Sequence, residues 1–167
     1  MYQIGDQVVY GIHGVCKIVE QEKRVVDRKT VTYLVLEPAG QDGSRYLVPT
    51  HNEAAMAKLH PMLCASEMEE LLHSRDIREG SWIQDENRRK QLYRELITSG
   101  DRAALLKMLY SLYEHKSNQL AAGKKVHLAD DNFLRDAEKL VSSEISVVMQ
   151  LSAEEAKAFL RAKLQAQ

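Results

Sequence analysis

The sequence has no long apolar run and few cysteines, and these gaps exclude several classes of protein. No apolar stretch in its 167 residues could span a bilayer, and the first residues lack the basic start and apolar centre of a signal peptide. The two cysteines, Cys16 and Cys64, lie far apart and form no CxxC pair, which argues against a structural zinc site. We therefore expect a cytoplasmic protein with no membrane segment and no metal centre.

A surplus of positive charge is also missing. The 23 basic residues are balanced by 24 acidic ones, so the formal net charge is −1. Proteins that coat nucleic acid by bulk electrostatics need a strongly basic surface. Any contact with nucleic acid must therefore come from a local patch, and in isolation it should be weak and sensitive to salt.

Residues that carry catalysis or hold metals form no recognisable cluster. The six histidines are scattered, and His51, His60 and Cys64 have the spacing of no standard zinc site. The stretch Gly11–Gly14 lacks the further glycines and the Lys-Ser/Thr pair of a phosphate loop. We therefore predict a non-enzymatic protein with no catalytic residues, no metal ligands, no cofactor and no small-molecule substrate.

The first fifty residues have the pattern of β structure. Short runs of β-branched and aromatic residues alternate with glycine turns; the clearest strand is Val31–Leu36, and Pro38–Gly43 is turn sequence. Four or five short strands in this span predict a small antiparallel barrel of the Tudor or SH3 kind. The alanines after Pro49 predict a short helix over 54–59, stopped by Pro61.

The remainder of the chain has helical periodicity. Ser66 and Ser152, each with a glutamate three residues later, have capping-box spacing, and Asp130 or Asp131 is expected to cap the helix that contains Phe133. The predicted fold class is α+β. A Tudor-like domain of residues 1–60 is expected to precede an all-α helical domain of residues 61–167.

The stretch Gly80–Asp101 joins the only tryptophan to a basic helix. Asp85 should begin this helix, Gly100 should end it in the left-handed conformation, and Asp101 should cap the next one. Trp82 could be an aromatic wedge beside phosphate-binding side chains, or it could pack the helix against its neighbours. The residues alone favour packing. Four basic residues follow Trp82: Arg88, Arg89, Lys90 and Arg94.

Several short motifs occur in one order along nearly the whole chain: Gly5–Tyr10, His13–Gly14, Tyr33–Leu36, Val48–Pro49, Trp82 and Ser99–Asp101. No single motif is specific, but the ordered set resembles the CarD/CdnL family of bacterial RNA polymerase-binding transcription regulators. The amino-terminal part also resembles the polymerase-interacting domain of transcription-repair coupling factor. Trp82 stands about one helical turn farther from Ser99–Asp101 than in the commoner family pattern.

The resemblance implies a regulator with two partners. The Tudor-like domain would bind the RNA polymerase β subunit through Arg24, and through Arg45 where the family's own arginine is replaced by Leu47. The helical domain would place Trp82 as a minor-groove wedge at the upstream edge of the melted promoter and so stabilise the open complex. Residues in regions where the family contacts DNA are Arg88, Arg89 and Lys125.

An alternative stays open for the helical domain. It could bind a protein rather than DNA, with Trp82 as a packing residue, and the chain would then be a protein–protein interaction adaptor. The two interpretations differ in whether the Trp82 ring is available at the surface.

Overall fold

A computed structural model describes residues 1–40 and 43–165 of the chain. Residues 41–42, inside the predicted turn Pro38–Gly43, and residues 166–167, at the end of the predicted helical domain, lie outside this description. The β strands come first and the long helices follow. The predicted α+β class, with an antiparallel β domain before an all-α part, is confirmed.

Five antiparallel strands form one sheet in the order β4-β3-β2-β1-β5. All five strands contribute buried residues to one apolar core, so the sheet curls around that core. These residues are Val8, Cys16, Ile18, Leu34, Leu36, Val48 and Leu59. The strands are β1 Gln7–Tyr10, β2 Val15–Val26, β3 Lys29–Pro38, β4 Tyr46–Pro49 and β5 Leu59–Pro61.

The helix predicted over 54–59 is shorter than expected. It spans Glu53–Met56 (α1), and Leu59 instead begins β5, where it pairs with Tyr10 of β1. Leu59 is buried in the sheet core. Its burial there, together with the pairing to β1, outweighs the helical preference of the preceding alanines.

Five longer helices follow the sheet, and their buried faces form a second apolar core. Asp85 caps α3 by accepting a hydrogen bond from the Arg88 N–H, Gly100 ends α3 with φ of 69°, and Asp101 caps α4 through the Ala104 N–H. These three predictions are confirmed. The helices are α2 Ala65–Leu72, α3 Glu86–Ser99, α4 Arg102–Ala121, α5 Leu128–Met149 and α6 Ala153–Gln165.

Two predicted helix starts are wrong. The N-cap of α2 is Cys64 rather than Ser66, because the Glu67 carboxylate accepts a hydrogen bond from the Cys64 N–H at 2.9 Å. The N-cap of α5 is His127, and Asp130 lies inside the first turn. Asp130 cannot act as the cap because its carboxylate is bound by Arg89 in the interior. The Ser152 capping box occurs as predicted.

The β sheet and the helices meet through close backbone contact. A Cβ atom on Gly100 would lie 3.1 Å from the Gly11 Cα, and one on Gly11 would lie 2.7 Å from the Thr98 carbonyl oxygen. His60 Nε2 donates to the Ser99 carbonyl oxygen at 2.9 Å. Only glycines allow this approach, so the position of the sheet relative to α3 and α4 is closely defined.

In the described part of the chain, none of the helices combines the length and the apolar character needed to cross a bilayer. Within the same residues, histidine, cysteine and carboxylate side chains do not gather in groups of three or more that could hold a metal ion.

Candidate functional site

Trp82 lies in the extended segment that leads into α3. Its ring stacks on His115 of α4, with the ring centroids 3.6 Å apart and the planes 4° from parallel. The side chain is only partly exposed and packs at the edge of the helical core. Trp82 is therefore neither a fully buried packing residue nor a free surface ring.

Arg89 holds this segment from the inside. It is 4% exposed, and its Nε and Nη2 donate to the two carboxylate oxygens of Asp130 at 2.9 and 3.1 Å. Its Nη1 donates to the Ile83 carbonyl oxygen at 2.8 Å, and its guanidinium carbon lies 4.5 Å from the Trp82 ring centroid. Each of its three guanidinium nitrogens therefore donates to a protein group.

Arg89 was predicted to contact DNA phosphates at the surface, but the structure places it in the interior, paired with Asp130. A buried arginine that is paired with a buried carboxylate cannot turn to a phosphate without leaving that carboxylate uncompensated. Asp85, one turn before Arg89, caps α3 through the Arg88 N–H, and Glu86 pairs with Lys90 at 2.8 Å. Arg89 orients the Trp82 segment.

The other predicted DNA-contacting residues, Arg88 and Lys125, are exposed. Lys125 lies in the turn between α4 and α5. His127, two residues later, lies close enough to Glu86, at the start of α3, and to His115 to lower the pKa of both side chains. The α4–α5 turn thus lies near the start of α3 and near His115, the stacking partner of Trp82.

His115 is held mainly in its neutral form. Burial lowers the pKa of His115, Asp130 raises it, and Arg89 and His127 lower it again, with a net shift below its ordinary value of 6.5. At neutral pH a neutral imidazole therefore lies flat against Trp82, and the contact is one of aromatic stacking.

A groove runs beside Trp82, between segment 80–84 and one face of α4. It encloses about 480 Å³, within the range of small-molecule sites. Its α4 wall comes from positions three or four residues apart, which share one side of a helix. The lining residues are Gly80, Trp82, Gln84, Ser111, Glu114, His115, Asn118 and Gln119.

Arg24 and Arg45 lie on the outer face of the sheet. Arg24, whose side chain is 50% exposed, donates from Nε to Glu22 at 2.8 Å and lies over the Tyr33 ring. Arg45, 59% exposed, pairs with Glu37 at 3.0 Å. Both ion pairs are on the surface, where an arginine can exchange one carboxylate for another at small cost.

The strand register places both arginines on one face. Arg24 lies opposite Val31 on β3, and Leu47 lies opposite Val35, two alternations further along the same side of the strand. Between the two arginines this face carries Tyr33 and Leu47 together with the glutamates Glu20 and Glu22. Leu47 is one of the large exposed apolar residues.

Two residues of the Trp82 site have no signal in the sequence. His115 is an ordinary position in α4, and Asp130 has the spacing of a helix cap. Both reach the site only because α3, α4 and α5 pack together. Only the helix packing could have identified them.

The comparisons with known proteins concern the amino-terminal part. Residues 2–60 match the model of the CarD-like/TRCF RID domain, which covers all but the last residue of the five-stranded sheet. This confirms the resemblance for that part of the chain. No curated protein matches the sequence.

Proposed function

From the CarD-like/TRCF RID domain at residues 2–60, an RNA polymerase-interacting domain, we propose that the chain is a non-enzymatic transcription regulator. It binds the RNA polymerase β subunit through the sheet and contacts promoter DNA through the helical part. The contact stabilises the open promoter complex. The domain match at residues 2–60 is the observation that carries the proposal.

The outer face of the sheet supports the polymerase contact. Arg24 and Arg45 present charge that is held only by surface carboxylates, and Leu47, which is 38% exposed on the same face, can be buried by a partner. Arginine beside exposed apolar surface is typical of the centre of a protein–protein interface. We therefore place the polymerase β subunit on this face.

The stacking around Trp82 supports its role as a wedge. A side chain inserted between bases must keep its orientation, or ordering it reduces the gain from binding. His115 and Arg89 already fix the ring, and the ring is still partly exposed. Arg88 and Lys125 are the exposed cations that we propose lie on flanking phosphates.

The charge of the chain fits a regulator that reaches DNA only after docking. With a net charge of −1, free binding to duplex DNA should be weak at physiological salt. Docking on polymerase raises the local DNA concentration to about the millimolar range that is typical of short tethers. The close packing of the sheet on α3 and α4 keeps the two contact surfaces at a set separation.

The test uses the full chain, RNA polymerase and a promoter. Polymerase retention on the immobilised chain is measured first, and then the open-complex lifetime with wild type, Trp82→Phe and Trp82→Ala. All three should retain polymerase. Trp82→Ala should shorten the lifetime about tenfold or more, because a base-stacking contact is worth about 1–3 kcal/mol, and Trp82→Phe should do so less.

Two outcomes would contradict the proposal. If the wild-type chain fails to retain polymerase, the proposed binding to the RNA polymerase β subunit is wrong. If Trp82→Ala leaves the open-complex lifetime unchanged, Trp82 is not a wedge. That result would favour the alternative in which the helical part binds a protein. A stability measurement accompanies the test, since a fully buried tryptophan would cost about 3–5 kcal/mol on removal.

A further inference from the structure

A buried carboxylate of α5 binds the linker that joins the sheet to the helices, residues 62–64. Glu144 is 2% exposed, and its Oε2 accepts a hydrogen bond from the Leu63 N–H at 3.3 Å. Its Oε1 accepts from Nε of Arg102, the first residue of α4, at 2.5 Å. One carboxylate therefore holds α4, α5 and the linker together.

Arg102 extends this contact to the sheet. Its Nη2 donates to the carbonyl oxygen of Pro61, the last residue of β5. A guanidinium carries its donors in a fixed planar fork, so Arg102 binds the Glu144 carboxylate and the Pro61 carbonyl in one orientation. Its side chain is 14% exposed, so water competes little for either contact. Rotation of β5 relative to α5 would break at least one of these hydrogen bonds.

The sheet is thus attached to the helices from two sides. On α3, Gly100 lies against Gly11, and His60 binds the Ser99 carbonyl oxygen. Arg102 and Glu144 add an attachment from α4 and α5. A sheet held only at the end of α3 could pivot about that contact, whereas a second attachment by charge-assisted hydrogen bonds restricts the pivot.

A second buried carboxylate of α5 gives a direct comparison. Glu138 is 3% exposed and, like Glu144, is paired with an arginine at 2.5 Å. Its partners, Arg161 of α6 and Tyr113 of α4, both belong to the helices. The two carboxylates are alike in burial and in the kind of ion pair, but Glu144 connects the helices to the linker and Glu138 does not.

We propose that Glu144 and Arg102 are positioning residues that fix the direction of the sheet relative to the helices. This orientation couples the two contact surfaces of the chain. The coupling rests on the proposed function, because orientation affects the open complex only if the sheet binds polymerase and the helices contact DNA. The fixed orientation itself is independent of that function.

The structural test measures backbone residual dipolar couplings of the full chain. In the wild type, the amides of the sheet and of the helices should fit one alignment tensor. Glu144→Gln offers one acceptor oxygen where Arg102 Nε and the Leu63 N–H each use one, so one donor then faces an amide NH2 group. The sheet and the helices of this variant should require two different tensors, and the Leu63 amide should exchange with solvent about tenfold faster.

Glu138→Gln is the matched control. It should lower the melting temperature about as much as Glu144→Gln, because each removes one buried carboxylate from its arginine, yet it should keep a single tensor and the wild-type exchange of Leu63. Arg102→Lys provides a second variant of the joint. It leaves Glu144 beside a positive charge, but its single ammonium group cannot reproduce the fork to Pro61, so this variant should also require two tensors.

The functional test uses the same variants. Glu144→Gln and Arg102→Lys should retain polymerase like the wild type but shorten the open-complex lifetime about fivefold or more, the lower end of typical coupling between two sites. Glu138→Gln should leave the lifetime unchanged.

A single shared tensor in both joint variants, or two tensors in Glu138→Gln, overturns the proposed fixing of the sheet. Two tensors with an unchanged lifetime overturn the coupling. Failure of the proposed function is seen separately, as loss of polymerase retention by the wild type or an unchanged lifetime with Trp82→Ala, since the dipolar couplings require neither polymerase nor DNA.

Discussion

The β sheet and the helices differ in where they keep their charged groups. In the described residues, the buried polar and charged side chains all belong to the helices, and the buried residues of the sheet are apolar. Three buried carboxylates of the helical domain are each paired with an arginine. The pairs are Asp130–Arg89, Glu138–Arg161 and Glu144–Arg102.

This difference explains why arginines of similar appearance in the sequence are not equivalent. Arg24 and Arg45 hold their carboxylates at the surface, where ion pairs contribute little, so a partner can replace those carboxylates. Arg89 is committed to Asp130 in the interior, and its contribution is to structure. A count of basic residues therefore overestimates the positive charge that the helices present at their surface.

The largest effect is expected from removing the partner of Arg89. Asp130→Ala leaves a buried guanidinium uncompensated and should lower the free energy of unfolding by about 3–5 kcal/mol. Asp131→Ala is the matched control, since Asp131 is partly exposed and pairs with Lys116 and Arg135 at the surface. Asp131→Ala should lower the free energy of unfolding by about 1 kcal/mol or less. Urea titrations of the wild type and of both variants measure these losses.

Equal losses for the two aspartates would show that burial does not determine how much a charged side chain contributes to stability in this protein. A double variant sharpens the result. Arg89→Met combined with Asp130→Leu should be less destabilising than Asp130→Ala alone, because no unpaired charge then remains in the interior.

The next largest effect is expected from Glu138, which makes the stability of the fold depend on pH in acid. Burial alone raises the pKa of Glu138, but hydrogen bonds from Arg161, at 3.0 and 2.5 Å, and from Tyr113 outweigh it, so the pKa lies below its ordinary value of 4.5. A carboxylate with a lowered folded-state pKa stabilises the fold above its unfolded pKa. That stabilisation is lost as the pH falls below about 4.5 through the folded-state pKa.

Glu138→Gln should therefore lower stability by about 1–3 kcal/mol at neutral pH and flatten the decline of stability in acid. Urea titrations of wild type and variant across this pH range measure both changes. Identical pH profiles would mean that Glu138 does not contribute to the acid sensitivity of the helical domain.

Local patterns allowed much of the fold to be predicted. The strand-rich first fifty residues, the Asp85 and Asp101 caps and the left-handed Gly100 depend on a few neighbouring residues, so the sequence identifies them directly. The predicted α2 and α5 starts were wrong because Cys64 and His127, which are not among the preferred cap residues, occupy the N-cap positions, and the Asp130 carboxylate is paired with Arg89.

The candidate site was predictable only in part. Trp82 stands out as the only tryptophan, and Arg88 and Lys125, named through the family resemblance, stay predictions. The Trp82–His115 stack and the Arg89–Asp130 pair join residues from different parts of the chain. No spacing rule connects such residues, since helix packing decides which of them meet. Burial of Arg89 depends on that same packing, and its basic neighbours in the sequence give no indication of it.

A smaller effect is expected for Arg24. Arg24→Glu places like charge against any acidic partner surface, so it should weaken binding to the polymerase β subunit several-fold without changing the melting temperature. The measurement is a two-component titration of the full chain with the β subunit. Lys29→Glu, a charge reversal at the start of β3, serves as the control for net charge. Unchanged binding of the Arg24 variant would remove this residue from the interface.

The smallest effect should come from Arg45. Arg45→Ala removes two surface ion pairs, to Glu37 at 3.0 Å and to Glu20 at 3.9 Å, with no buried charge left behind. Its cost in stability should be about 0.2–1 kcal/mol, and it should shrink at about 1 M salt, where the screening length is near 3 Å. Urea titrations at low and high salt measure it. A loss above about 2 kcal/mol would mean that the β domain also depends on its charges for stability, and the contrast with Arg89 would fail.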